Sequence, residues 1–177
     1  MNRILTTHAG SLPRPPDLAA LHARCFAGHA VDASEIARQS VAATAAVVRR
    51  QCEIGIDFVN NGEVGRESFF TYLQHRMTGF SGVSRRPPMR DMVKYPHFLE
   101  YLRRTAFVGD GVSLGRPPQA TGPIVYADTT AIDAECNELA QALREVGKNP
   151  ADAFVSAPSP GIVVAAMENR HYPDQDA

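Results

Sequence analysis

The residues best suited to chemistry follow short stretches that are typical of β-strands. In the first such segment, His8 could donate or accept a proton near neutral pH. The backbone amides of Gly10 and Ser11 in the same segment could bind a carboxylate. A Gly- and Pro-rich turn with a partly exposed histidine is the more ordinary explanation of this spacing. The segment is therefore a candidate site that needs further support.

A second candidate segment, Asn60-Asn61-Gly62-Glu63, follows an apolar, β-branched run. A carboxylate placed directly after a strand can bind a substrate ammonium group or act as a base. A surface turn with a solvated glutamate fits the same pattern equally well. A further candidate, Ser159, has a hydroxyl in a stiff Pro-Ser-Pro-Gly turn, but no His–Asp pair lies nearby in sequence to activate it.

The sequence offers one weak candidate for a metal site. His22, Cys25 and His29 have the i, i+3, i+7 spacing of one helix face, and three such ligands could hold zinc. The pair Ala27-Gly28 is expected to end that helix before His29, and no fourth ligand is nearby. We therefore predict no metal here and expect a solvated helix face with a buried cysteine.

Alternating strand and helix patterns indicate a parallel α/β sheet. Strands are predicted at residues 3–6, 56–60, 123–126 and 153–157. The clearest helix covers 34–54, where Asp32 and Glu35 have capping-box spacing. A second helix covers 131–146, and its apolar stripe includes Cys136. Ligands of such folds bind beyond the carboxyl ends of the strands, so a site is expected there.

Composition limits the class of protein. The chain has 177 residues, a net charge of −1 and 44% hydrophobic residues, which predicts one domain and no nucleic-acid partner. Three cysteines argue against a disulfide scaffold. No membrane-spanning run and no secretory signal are recognisable, so a cytoplasmic location and no membrane partner are expected. We predict a single domain over 1–177, with 64–121 as an inserted helical excursion that could cover a site. Within it we expect helices at 67–77 and 98–104 and a Pro-rich turn at 85–88.

Several segments together resemble one enzyme family. Residues 6–15, with the sequence TTHAGSLPRP, are similar to the opening strand and loop of the cobalamin-independent methionine synthase superfamily. The likeness is closest to the short branch that includes epoxyalkane:coenzyme M transferases. Residues 51–63 resemble the family's second helix-to-strand passage, which ends in a substrate-binding glutamate. Residues 121–124 and 153–161 fit the third and fourth strands.

The resemblance implies a (β/α)8 barrel of the catalytic type, with a zinc ion that activates a thiol for methyl or alkyl transfer. In methionine synthases the thiol is homocysteine and the donor is a methyltetrahydrofolate. By resemblance, Gly10 and Ser11 meet the amino acid's carboxylate and Glu63 its ammonium group. The remaining expected site residues are the substrate-binding Arg14, Asn61 and Ser159 and the candidate catalytic His8.

The sequence also departs from the family pattern. Only four strands are recognisable, and the family's His-x-Cys zinc motif is absent, so the usual zinc ligands are missing. We expect a partial (β/α)8 TIM barrel of about four βα units, the N-terminal substrate-binding half, inactive without a second half. A complementary C-terminal barrel chain or a homodimer could supply that half. The alternatives are an epoxyalkane:coenzyme M transferase-like protein and a non-catalytic small-molecule-binding or truncated module.

Overall fold

The computed structural model describes residues 3–86, 90–105 and 117–174. The α-helices of this part span Pro16–Phe26 (α1), Ala33–Glu53 (α2), Arg90–Lys94 (α3), Pro96–Thr105 (α4), Thr130–Glu145 (α5) and Pro160–Ala166 (α6). The strands are Val59–Asn60 (β1), Phe80–Ser81 (β2), Gln119–Ala120 (β3), Ala153–Phe154 (β4) and Glu168–Asn169 (β5). Two 3₁₀ helices cover Thr71–His75 and Pro150–Asp152.

The strands form two small sheets. In the first, β1 pairs in parallel with β4, with Val59 opposite Ala153. Thr7 adds a parallel bridge to Phe58, so three chain segments run side by side. In the second sheet, β3 pairs with β2 in antiparallel and with β5 in parallel orientation. The fold is therefore mixed α/β, as predicted, and the described strands do not close into a barrel.

The two long helices lie where the sequence predicts them, within one residue at each end. The Asp32 side chain caps α2 by accepting a hydrogen bond from the Ser34 amide at 2.9 Å. Gly55 follows α2 with a φ of 80°, the left-handed conformation that commonly ends a helix. At α5 the N-cap residue Thr129 makes no side-chain capping hydrogen bond, and Asp128 Oδ1, one residue earlier, accepts from the Thr130 amide at 2.8 Å. A side-chain cap thus marks the start of α2, whereas α5 begins after an aspartate turn.

The core lies between these two helices and the parallel sheet. Its buried members are Val48, Val59, Leu139, Ala142 and Leu143. A second cluster joins α1 to α2 and to the segment after β1, and its buried members are Leu18, Ala43 and Val64. Cys136 is exposed, and the buried stripe of α5 contains Glu135 in its place. The expected apolar stripe was wrong at that position because a charged side chain faces the interior.

The expected strand at 123–126 is not part of the parallel sheet. Tyr126 instead forms an isolated antiparallel bridge to Met77, and β1 pairs directly with β4. Pro123 has no N–H to donate to a sheet, and the Ile124 amide donates to the Tyr172 hydroxyl at 2.8 Å. The sheet that contains β1 and β4 therefore has three parallel segments in the described part of the chain, where four were expected.

The helix expected at 67–77 is only a short 3₁₀ turn. Ser68 Oγ accepts from the Thr71 amide at 3.0 Å, and the Thr71 hydroxyl donates to Glu67 Oε1 at 3.0 Å. Such side-chain bonds compete with regular helical hydrogen bonds, which explains the short element. The helix expected at 98–104 lies within α4, whereas residues 87–88 of the Pro-rich turn lie outside the described residues. No helix in the described ranges combines the length and apolarity that a membrane span requires.

Candidate functional site

Glu63 lies at the carboxyl ends of the parallel segments, with both of its oxygens bound by serine hydroxyls. Ser11 Oγ donates to Glu63 Oε2 at 2.5 Å, and Ser156 Oγ donates to Glu63 Oε1 at 2.7 Å. The three residues come from the loop after Thr7, the loop after β1 and the segment after β4. Glu63 is 2% exposed, whereas Ser11 is exposed, so the cluster faces solvent on the Ser11 side.

The backbone before Glu63 is shaped by two asparagine side chains. Asn60 Oδ1 accepts from the Gly62 amide at 2.8 Å, and Asn61 Oδ1 accepts from the Glu63 amide at 3.1 Å. Glu63 itself has a φ of 55°, the left-handed conformation that is unusual for a residue with a side chain. Asparagine side chains stabilise tight turns in this way, which accounts for the Asn-Asn-Gly sequence before the glutamate.

The first candidate loop is tied to this turn. Asn60 Nδ2 donates to the His8 carbonyl at 2.8 Å, and the Leu12 amide donates to the Gly62 carbonyl at 2.8 Å. The ring Nε2 of His8 lies 2.8 Å from the carbonyl oxygen of Gly10. Gly10 has a φ of 92° and no atom within 4 Å of the place where a Cβ would stand. The loop therefore leaves open space beside Gly10.

Arg14 lies behind the turn and binds backbone carbonyl groups. Its Nε donates to the Arg66 carbonyl at 3.0 Å and to the Val64 carbonyl at 3.2 Å, and its Nη2 donates to the Arg66 carbonyl at 2.5 Å. Burial lowers the pKa of Arg14, and the nearby charge of Glu63 opposes that shift. Through these hydrogen bonds, Arg14 stabilises the backbone conformation of segment 63–66.

A buried ionic network lies on the other side of the turn. Glu135 of α5 accepts a hydrogen bond from Asn61 and forms ion pairs with Arg66 and Arg76. The Tyr72 ring lies 4.6 Å from the guanidinium carbon of Arg66 and 4.5 Å from that of Arg76. Arg66 Nη2 also donates to the Ser156 carbonyl at 2.7 Å. The network links α5 to both loops that hold Glu63.

Sequence reasoning identified Ser11, Asn61 and Glu63, which the structure brings together, but it missed Ser156 and Glu135. Glu135 had a detectable signal, since a carboxylate four residues before Leu139 interrupts the apolar stripe of α5. Ser156 had none, because its partner is 93 residues away in the chain. Only the pairing of β1 with β4 places it beside Glu63.

The Ser159 side chain forms its described hydrogen bond with the first turn of α6. Its Oγ accepts a hydrogen bond from the Ile162 amide at 3.3 Å and so caps α6. The side chain is part of an exposed helix start. Its described hydrogen bond stays within its own helix, whereas Ser156, three residues earlier, reaches Glu63.

The residues considered for a metal do not converge. His22 is buried in α1, whereas Cys25 and His29 are exposed, so the expected buried cysteine was wrong and the buried residue is the histidine. Burial, and next the charge of Arg14, lower the pKa of His22. No group of three or more metal-ligating side chains occurs in the described part of the chain. These residues do not fit the zinc ion that the resemblance implies.

Two cavities lie away from Glu63. One of about 200 Å³ is lined mainly by apolar side chains of β2, β3 and α6 and by Tyr172. The other is a surface cleft of about 590 Å³ between Arg85, Gln119 and Arg170. Neither is lined by Ser11, Glu63 or Ser156.

The fold is similar to folds seen among solved structures. It is similar to a B12-independent methionine synthase from Shewanella sp. W3-18-1 in complex with selenomethionine, with a TM-score of 0.60, 17% identity and 96% of this chain covered. It is also similar to a chain from Listeria monocytogenes assigned provisionally as a vitamin-B12-independent methionine synthase, with a TM-score of 0.58, 17% identity and 99% coverage. This chain spans 42% and 43% of those proteins. No protein-family model and no curated protein matches the sequence.

Proposed function

We propose that the chain is the substrate-binding part of a methionine-synthase-like transferase, in which Glu63 binds the ammonium group of a sulfur-containing amino acid. The observation that carries this proposal is the placement of the Glu63 carboxylate between the hydroxyls of Ser11 and Ser156. An ionised carboxylate has about four acceptor positions, and the two serines use two of them. An ammonium group can therefore bind to those that remain, or replace the exposed Ser11.

The amino acid's carboxylate is expected on the opposite side of the ammonium group. The open space beside Gly10 and the exposed position of Ser11 allow a ligand to approach the backbone there. Backbone amides at such a turn suit a carboxylate. Glu63 and this turn together would then recognise both charges of an amino acid zwitterion.

The fold comparison and the resemblance of the two loops support the choice of a sulfur-containing amino acid. The Shewanella relative was determined in complex with selenomethionine, a thioether-type amino acid with selenium in place of sulfur. Methyl transfer from a methyltetrahydrofolate to homocysteine is the reaction that the resemblance implies.

The geometry favours an amino acid over the sulfonate-bearing thiol coenzyme M. A buried carboxylate that accepts hydrogen bonds on both oxygens attracts a cation and repels an anion. Coenzyme M has a sulfonate and no ammonium group. Glu63 therefore supports a homocysteine-type substrate. Coenzyme M has no cationic group that Glu63 could bind, so the geometry does not support an epoxyalkane:coenzyme M transferase-like activity.

Isothermal titration calorimetry with L-methionine and L-homocysteine tests the proposal. We expect Glu63→Gln to weaken binding of both by about tenfold or more, since a charge-assisted hydrogen bond is lost. The matched control is Glu53→Gln, which removes an exposed carboxylate at the end of α2 and should leave affinity unchanged. Equal affinities of the wild type and Glu63→Gln, or tighter binding of coenzyme M than of homocysteine, would contradict the proposal.

A further inference from the structure

Glu135 is the central acceptor of the buried network behind Glu63. Its Oε1 accepts a hydrogen bond from Asn61 Nδ2 at 2.7 Å and forms an ion pair with Arg66 Nη2 at 2.8 Å. Its Oε2 accepts from Arg76 Nη2 at 2.8 Å. Asn61 lies in the turn after β1, Arg66 lies in the segment that follows this turn, and Arg76 directly follows the 3₁₀ helix Thr71–His75. Glu135 lies on α5. One carboxylate thus joins elements that are distant in sequence.

The network is buried and is held together by charge. Glu135 is 8% exposed, Asn61 3% and Arg66 3%. Two guanidinium groups lie against the same Tyr72 ring, and Glu135 is the carboxylate that pairs with both. Buried like charges destabilise each other unless an opposite charge is fixed between them. Glu135 supplies that charge.

Two routes lead from Glu135 to Glu63. Through Asn61, it fixes the amide side chain whose Oδ1 accepts from the Glu63 amide and so supports the left-handed backbone of that residue. Through Arg66, whose Nη2 also donates to the Ser156 carbonyl, it fixes the segment whose hydroxyl binds Glu63 Oε1. Both the backbone and the carboxylate of Glu63 therefore depend on the same acceptor.

We propose that Glu135 is a positioning residue for Glu63, which holds Glu63 in its binding conformation and keeps Arg66 from neutralising it; this inference rests on the proposed function. Arg66 is buried, and its Nε and Nη1 have no described hydrogen-bond acceptor. Without the Glu135 carboxylate, the charge of Arg66 would be uncompensated beside the segment that holds Ser156. Arg66 would then pair with the Glu63 carboxylate. The ligand's ammonium group requires the same negative charge.

A double-mutant cycle on the full chain tests this role. Calorimetry compares L-methionine with 4-(methylthio)butanoate, which lacks the ammonium group, on the wild type, Glu135→Gln, Glu63→Gln and the double variant. We expect Glu135→Gln to weaken L-methionine binding about tenfold with little effect on the ammonium-free analogue. In the Glu63→Gln background the same change should have no further effect, because residues that act through one another are not additive. A merely structural role would not change the preference for L-methionine.

Two further variants keep the test decisive. Glu145→Gln, an exposed carboxylate on the same helix, should bind L-methionine like the wild type. Asn61→Ser removes the donor to Glu135 while keeping an acceptor for the Glu63 amide, and it should reproduce the loss of preference if Glu135→Gln does not fold. If Glu63→Gln weakens binding but neither Glu135→Gln nor Asn61→Ser changes the preference, the positioning role is wrong. If Glu63→Gln itself has no effect, the proposed function is wrong.

Discussion

The side chain of Gln51 pairs with both backbone polar groups of Asn60. Its Oε1 accepts from the Asn60 amide at 3.1 Å, and its Nε2 donates to the Asn60 carbonyl at 2.7 Å. Both residues are 4% exposed. A glutamine near the end of α2 thus takes the place of a neighbouring strand at the point where β1 ends and the Glu63 turn begins.

Replacing Gln51 by methionine should destabilise the fold. The Gln51→Met variant keeps the length of the side chain but leaves a buried amide and a buried carbonyl of Asn60 without partners. We expect the free energy of unfolding to fall by about 2 to 4 kcal/mol, measured by urea denaturation. Arg49→Met, at an exposed position of α2, should change it by less than about 0.5 kcal/mol. Equal effects of the two variants would mean that water satisfies Asn60 without Gln51.

Two glycines separate the effect of backbone conformation from that of close packing. A Cβ at Gly79 would lie 2.5 Å from the Pro123 carbonyl oxygen, whereas a Cβ at Gly55 would meet nothing within 4 Å. Both have positive φ values of similar size. Gly55→Ala should cost about 1 to 2 kcal/mol of unfolding free energy, the cost of a left-handed alanine. Gly79→Ala should cost clearly more, and equal costs would contradict the described approach of these two segments.

Two nearby serines should have separable roles. Ser156→Ala removes a donor to Glu63 and should weaken L-methionine binding by about fivefold to tenfold. Ser159→Ala removes the cap of α6 and should lower the unfolding free energy by about 1 kcal/mol with unchanged affinity. Calorimetry and urea denaturation of both variants measure these effects. A loss of affinity in Ser159→Ala alone would instead support the sequence-based expectation that Ser159 binds substrate.

His22 should make the protein less stable in mild acid. Burial, assisted by the charge of Arg14, lowers the pKa of His22 from its ordinary value of 6.5. The unfolded chain therefore takes up the proton first as the pH falls, so the unfolding free energy decreases below about pH 6.5. Denaturation curves between pH 7.5 and about 5 should show a shallower decrease for His22→Leu than for the wild type. The exposed control His29→Gln should keep the wild-type slope, and parallel curves for all three would contradict the prediction.

The sequence predicts those parts of the fold that local chemistry determines. Helical periodicity locates α2 and α5, the Asp32 cap marks the start of α2, and the Asn-Asn-Gly-Glu pattern identifies the turn of Glu63. Residues 123–126 show why local patterns can fail: they have the composition of a strand, but a tertiary partner, the Tyr172 hydroxyl, takes the Ile124 amide. Strand propensity indicates a suitable surface and does not choose the pairing partner.

The candidate site was predictable only where residue type and local spacing form a recognisable pattern. Glu63 and Ser11 stand at strand ends beside glycines, which is a recognisable pattern. Ser156 is an ordinary serine until β4 pairs with β1, and Glu135 acquires its role through contacts more than 50 residues away in the chain. Such long-range pairing depends on the packing of α2 against α5, which a single sequence does not specify residue by residue.

The central claim is that Glu63 binds the ammonium group of a sulfur-containing amino acid. A crystal structure of the chain with selenomethionine tests it most directly, because anomalous scattering locates the selenium atom and thereby the ligand. We predict the ligand nitrogen within hydrogen-bond distance of Glu63, about 3 Å, with its carboxylate at the Gly10–Ser11 turn. Selenomethionine bound instead in the cavity beside Tyr172, or with its carboxylate toward Glu63, would contradict the account.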